Sequence, residues 1–263
     1  MFDDQALLTS EGSGRYTASV GDRWLSLNGA HGGIVASLIV DAVGEELRHE
    51  GVADDTVLRA ATFAYVTGNQ VGESAIDVDI VRRGRSMISS HATVTQSGTT
   101  TTVAQLHHSA PRAGLDYSDV EPLPPKPDDA ERFLPARPPH LLNVETYLHP
   151  DTQPFGGGAR SEWRAWCRPL HGDTFDASWL TMFGDYFPPT VFARLDQPAL
   201  AVTVEYSIQI HDASPAWTLA PDTYLAATMH AFHSHDGFAV EDGVIQHPDG
   251  RLLATVRQTR LSG

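Results

Sequence analysis

Asp185 lies in the segment FGDYFPP, an acid set among aromatic side chains. An ionised carboxylate in apolar surroundings is costly unless it is paired, and one held beside a water can act as a general base in hydrolysis. Pro189 and Pro188 bias Phe187 away from helical backbone, so Asp185 is predicted near a helix end, set apart from the packed face. Gln258 shares strand parity with Leu252, Ala254 and Val256; a lone amide on that apolar face needs a buried hydrogen-bond partner. Thr203 alternates with Glu205, Ser207 and Gln209, opposite the apolar series Val202, Val204, Tyr206, Ile208 and Ile210. Strict alternation turns it outward; a bulge, or an interface that uses both strand faces, would bring it back.

Other groups have plainer readings. Asp41 follows His31-Gly32-Gly33 in HGGIVASLIVD and is either a reserve base or a helix-surface acid. His31 reads as a helix-start residue. Cys167, beside Trp166, reads as a buried thiol, and a single cysteine excludes an intrachain disulfide. His230, His233 and His235 alternate across a strand with no further ligand at suitable spacing, so no metal is expected. Arg82, Arg83 and Arg85 flank Gly84 at a hairpin tip, which is either solvated or a contact for phosphates.

The elements that must position these groups follow from periodicity. Ile34, Val35, Leu38, Ile39, Ala42, Val43 and Leu47 recur at helical spacing and Gly51 closes the segment. Strands are predicted at 57–66, 74–81, 87–95 and 100–108, rich in β-branched residues and separated by Gly-bearing turns. A similar order returns later: a short strand at 163–167, a helix from about residue 175, then strands at 199–210, 223–233, 238–246 and 252–259. The pairs His31-Gly32 and His171-Gly172, and Gly44-Glu45 and Gly184-Asp185, echo one another weakly across the two halves. Between the halves, Pro111 to Pro139 holds Pro122, Pro124, Pro125, Pro127, Pro135 and Pro138, which excludes a continuous helix or central strand. The expected division is therefore 1–112, a Pro-rich linker at 113–142, and 143–263. Helix-plus-sheet halves of this order are an α+β architecture in which each antiparallel sheet wraps a central helix, joined edge to edge so that each loses one exposed edge.

The 263 residues carry 18 Lys and Arg against 33 Asp and Glu, a formal charge of −15, which disfavours nucleic acid and anionic membrane surfaces. Apolar residues make up 41% and charged residues 19%, ordinary for a globular chain. The opening MFDDQALLTSEG has no signal-peptide apolar core, and the longest nearly apolar run, 34–43, is about half of what a bilayer needs. A cytoplasmic protein without a membrane span is the expectation.

The segments NGAHGGIVASLIVDAV, RRGRSMISSHATVTQSG, FGDYFPPTVF, AVTVEYSIQIH and GRLLATVRQTRL, in that order, resemble the acyl-CoA thioesterase II and related thioesterase-like family, two hotdog folds in one chain. The resemblance covers most of residues 15–110 and 160–261. It implies hydrolysis of an acyl-CoA thioester to a carboxylic acid and coenzyme A, without a cofactor. It further implies a catalytic trio of Asp185, Thr203 and Gln258, although Glu205-Tyr206 stands where better-known members have Asp-His. Asp185 would activate a water that Thr203 and Gln258 hold in place. Backbone N–H groups at His31-Gly32-Gly33 or His171-Gly172 would stabilise the oxyanion, and Arg83 with His31, Gly32 and Gly33 would contact the acyl-CoA substrate. The resemblance leaves room for a homodimer of the double unit. The rival reading is a non-catalytic acyl-CoA or lipid-binding hotdog protein.

Overall fold

A computed structural model describes residues 5–135, 138–170, 173–197 and 199–262. The N-terminal half runs β1 (Ala6–Gly12), β2 (Arg15–Val20), α1 (Gly32–His49), β3 (Val57–Tyr65), β4 (Gly72–Arg83), β5 (Ile88–Gln96) and β6 (Thr99–Ser109). After the short β7 (Glu131–Arg132), the C-terminal half runs β8 (Val144–Leu148), β9 (Ser161–Pro169), β10 (Thr174–Asp176), α2 (Ala177–Gly184), β11 (Ala201–Ile210), β12 (Ala216–Thr218), β13 (Leu225–Ala231), β14 (Ser234–His235), β15 (Phe238–Gln246) and β16 (Leu252–Ser262). Fourteen strands form one antiparallel sheet in the order β1-β2-β4-β5-β6-β3-β11-β16-β15-β13-β9-β8-β7, with β14 on β15, and β10 pairs β12 in a small second sheet. The architecture is the expected double hotdog.

The strand order reads the same from either end: β2-β4-β5-β6-β3 of one half answers β9-β13-β15-β16-β11 of the other. The halves meet where β3 pairs antiparallel with β11, Tyr206 opposite Phe63 and Ile208 opposite Ala61. The aromatic rings of Phe63 and Tyr206 stack across this join, their centroids 5.6 Å apart. Edge-to-edge union satisfies the backbone groups of both strands.

The helices differ in length for local reasons. In α1, Ile34, Ala36, Ile39, Ala42 and Val43 are fully enclosed, as a helix wrapped by a sheet and faced by a second helix must be. α2 starts on Asp176, whose carboxylate accepts from the Trp179 backbone N–H at 3.0 Å and the Ser178 hydroxyl at 2.9 Å, a side-chain N-cap. It ends at Gly184 and continues into the Pro188-Pro189 step, whose ring constraints prevent further helix. Asp185 closes it.

Two features depart from the expected element list. β1, β2, β8 and the short strands β7, β10, β12 and β14 add to it; β2, for example, buries only Tyr16, Ala18 and Val20 in a six-residue stretch. The Pro-rich stretch packs against the C-terminal half. Leu123 N–H and Glu121 C=O bond the two ends of the Gln246 amide, at 2.7 and 3.0 Å. Trp166 donates to the Pro124 carbonyl at 2.9 Å, and Lys126 sits over the Tyr147 ring. A turn of 3-10 helix at Pro139–Leu142 then buries His140 and Leu141.

Candidate active site

The C-terminus of α2 and the N-terminus of α1 meet at Asp185. A Cβ added to Gly32 would lie 2.8 Å from Asp185 Oδ2, and one added to Gly33 would lie 2.5 Å from the Met182 carbonyl oxygen. Glycine at both positions is what lets the two helix ends approach. A carboxylate at the end of its own helix is disfavoured by that helix's dipole, whereas the first turn of another helix, with N–H groups lacking intrahelical partners, favours it.

Asp185 is only 6% exposed. Its Oδ1 accepts a hydrogen bond from the Thr203 hydroxyl at 3.1 Å and lies 3.9 Å from Arg260 Nη2. Thr203 reaches it because the β11–β16 register slips between Thr203 and Glu205, Thr203 pairing with Arg260 and Glu205 with Thr259. Val204 is the extra residue. A bulge of one residue inverts the alternation upstream of it, so Thr203 shares the inward face with Tyr206 instead of the outward face with Glu205.

On β16, Gln258 and Arg260 are buried two residues apart on that same face. Gln258 donates through Nε2 to the Gly184 carbonyl at 2.9 Å, which orients the amide and leaves Oε1 turned to the Thr203 hydroxyl at 3.3 Å. The structure thus brings Asp185, Thr203 and Gln258 together. One hydroxyl proton cannot serve both acceptors at once, so Thr203 donates to either Asp185 or Gln258.

Arg260 is a further member of the site that the sequence pattern does not single out. Its Nη1 donates to Thr203 Oγ1 at 2.8 Å and its Nε to Glu241 Oε2 at 2.6 Å. Glu241, fully enclosed, accepts through Oε1 from the Thr190 backbone N–H at 2.6 Å and hydroxyl at 2.8 Å. A buried ion pair persists only when its remaining atoms find partners, and here all do except Arg260 Nη2, which has no hydrogen-bond partner. Inward parity with Gln258 was the available signal for Arg260.

His31, at the cap of α1, approaches the Asp185 carbonyl oxygen with Nε2 at 3.1 Å and Oδ2 at 3.8 Å. A carbonyl only accepts, so Nε2 carries the proton. Burial lowers the His31 pKa, opposed by Asp185, and the ring is neutral. His140 stacks on it at 4.2 Å between centroids, and burial followed by the neighbouring His31 holds His140 well below the usual imidazole range. Tyr65, from β3, sits against the same point: its hydroxyl would be 3.1 Å from a Cβ on Gly32, and it is buried without a partner.

The remaining predicted groups lie elsewhere. Arg83 donates to the carbonyls of Glu50 and Gly51 at 2.8 and 3.3 Å, at the opposite end of α1 from His31. Cys167 is buried and donates to Thr146 Oγ1, and burial pushes its thiol pKa up. His171 and Gly172 lie outside the described residues. Among the described residues, no group of three or more His, Cys, Asp or Glu could hold a metal ion, and no helix is long and apolar enough to cross a membrane.

Asp41 occupies the counterpart of this site in the other half. The β3–β6 pairing slips at Arg59, between Leu58 opposite His108 and Ala60 opposite His107, as β11–β16 slips at Val204. Aligning the two bulges pairs Leu58 with Thr203, His108 with Arg260, and Leu106 with Gln258. Asp185 lies nine residues beyond the cap of α2, and Asp41 ten beyond the cap of α1. Asp41, Leu58 and His108 line one groove with Asp176 and Ser178. On these strands Leu58 and Leu106 stand where the other half has Thr203 and Gln258, so the hydroxyl and the amide of the first site have no counterpart at those positions. Burial, then Asp176, raises the Asp41 pKa to about 6.

Residues 20–108 match the acyl-CoA thioesterase N-terminal domain family and residues 118–261 the acyl-CoA thioesterase C-terminal domain family. The fold and these matches define the class: the chain belongs to the double-hotdog acyl-CoA thioesterase family. Among solved structures, a hot dog fold protein of unknown function from Alicyclobacillus acidocaldarius is similar at 23% identity and a TM-score of 0.88, covering 100% of this chain and 97% of that one. An acyl-CoA thioesterase II from Mycobacterium marinum is similar at 16% identity and a TM-score of 0.75, covering 97% and 94%. A 12:0-ACP thioesterase from Umbellularia californica follows at 11% and 0.54, covering 95% and 94%. These likenesses concern the fold. No curated protein matches the chain.

Proposed function

We propose that the protein hydrolyses an acyl-CoA thioester to a carboxylic acid and coenzyme A at Asp185, Thr203 and Gln258. The observation that carries this reading is the Thr203 hydroxyl, within hydrogen-bond distance of both Asp185 Oδ1 and Gln258 Oε1. Two acceptors converging from different elements suit a water that donates one hydrogen to each, leaving its lone pairs free to attack. Asp185 takes the proton as the water attacks the thioester carbon, and the first turn of α1 at Gly32-Gly33 favours the negative charge that develops beside it. His31 fixes the backbone of Asp185 and remains neutral, so it does not compete for that proton.

Thiol release from short, medium, long, branched and aromatic acyl-CoAs tests the proposal. Turnover of at least one substrate is expected, with Asp185→Asn and Gln258→Ala each lowering kcat by about 10²-fold or more, the range of positioned acid–base groups. Binding without turnover across the panel would leave the protein a carrier of acyl-CoA.

A further inference from the structure

Two buried donors near Asp185 have no partner, and they come from opposite halves of the molecule. Arg260 Nη2 projects from β16, its guanidinium locked by Glu241 and Thr203, and stops 3.9 Å from Asp185 Oδ1. Tyr65 Oη projects from the end of β3 to the point beside Gly32 that Asp185 Oδ2 also borders. Burial, then Asp185, raises the Tyr65 pKa well above the ordinary phenol value, so the hydroxyl keeps its proton. A buried donor left unpaired is costly, and both of these border the Asp185 carboxylate, where an oxygen that accepts twice would satisfy them.

We propose that Arg260 Nη2 and Tyr65 Oη are catalytic donors that hold the thioester carbonyl oxygen and stabilise its negative charge in the tetrahedral intermediate. The inference rests on the thioesterase reading above and adds an oxyanion site made of side chains to the backbone of α1. The water oxygen bonds to the carbonyl carbon, and its proton passes to Asp185. The C=O π pair moves onto the oxygen facing Arg260 and Tyr65. Collapse of that oxyanion re-forms C=O and breaks the C–S bond, and the coenzyme A thiolate takes the proton from Asp185. Donors fixed before the reaction are most effective where charge appears only in the transition state. Glu241 is a positioning residue: its bond to Nε and its own anchorage on Thr190 hold the guanidinium in place beside Asp185.

The test is steady-state thiol release by the full-length protein with an acyl-CoA that the wild type turns over, comparing Tyr65→Phe, Arg260→Lys and Arg260→Met, with thermal unfolding of each. Tyr65→Phe deletes one hydroxyl, and Arg260→Lys keeps the charge without the fork. If Arg260→Met fails to fold because Glu241 loses its partner, these two still decide the question. The expected result is a fall in kcat of about 10²–10³-fold for Arg260→Met, the measured scale for one oxyanion donor, and about 10-fold or more for the other two, with KM within about threefold. Folded variants with kcat within about threefold of wild type, or with the loss confined to KM, would overturn the inference. A wild type inactive on every acyl-CoA would instead sink the thioesterase reading, and this inference with it.

Discussion

The Thr203 hydroxyl stands 3.1 Å from Asp185 Oδ1 because Val204 is looped out of the β11–β16 pairing. Were Val204 paired in regular alternation instead, Thr203 would face outward with Glu205. Thr203→Val, which keeps the shape of the side chain and removes the hydroxyl, should lower kcat by about 10²-fold. Thr203→Ser should stay within about tenfold of wild type. Equal activity of Thr203→Val and the wild type would show that the hydroxyl is not needed at the site.

The glycine pair of α1 separates function from folding. At Gly32 the added methyl of alanine meets the Asp185 carboxylate at 2.8 Å and Tyr65 at 3.1 Å, the mobile ends of two side chains. At Gly33 it meets the Met182 backbone carbonyl at 2.5 Å. Gly33→Ala should lower unfolding free energy by about 1–3 kcal/mol, as overpacking does, while Gly32→Ala should stay close to wild type in stability and lose most activity. Urea titration beside the thiol-release assay checks both, and a reversed order of effects would contradict the geometry.

Periodicity and turn chemistry were enough to read most of this fold. The buried helix from Gly32 and the strands of both halves follow from apolar spacing that each element must satisfy locally, and their edge-to-edge union from the cost of leaving a strand edge exposed. Gln258 was legible because parity placed an amide on an apolar face, and it is 1% exposed in the folded chain. Thr203 was not legible from alternation, since a bulge is a property of two paired strands and leaves no mark on one of them. Arg260 and Tyr65 escaped for a similar reason: their significance lies in unpaired donors, and pairing is decided by partners on other strands, such as Glu241 and Thr203 for Arg260. The Pro-rich stretch has the composition of an extended connector. Its prolines exclude regular structure, but they do not prevent packing, and its last turn sets His140 on His31.

Stability should fall as the solution is acidified below the ordinary histidine range. His31, His108 and His140 are buried, and burial lowers each pKa from 6.5, to about 4 for His108. Each binds a proton more readily unfolded, so its contribution is complete above pH 6.5 and is lost as pH falls through the folded value. His108 alone accounts for about 3 kcal/mol at most on this scale. Urea midpoints between pH 7.5 and 4.5 should decline, and His108→Gln should flatten the decline. An unchanged slope in that variant would mean that His108 is not the group titrating.

Asp41 provides the counter-experiment to Asp185. Its folded pKa of about 6 lies above the ordinary 3.8, so its contribution is favourable below pH 3.8 and is lost as pH rises through 6. At pH 7 the folded protein carries an ionised, half-buried carboxylate beside Asp176. Asp41→Asn removes that repulsion and should stabilise the protein by about 1–3 kcal/mol at pH 7 and by little near pH 4. Because the strand positions that correspond to Thr203 and Gln258 hold Leu58 and Leu106 in this half, the substitution should leave kcat within about twofold. The equivalent change at Asp185 should remove most of the turnover. Two acids at equivalent places in a duplicated fold would then differ by what the paired strands offer them, Thr203 and Gln258 in one half and Leu58 and Leu106 in the other. If Asp41→Asn lost as much activity as Asp185→Asn, that distinction would fail and the groove would have to be counted as part of the working site.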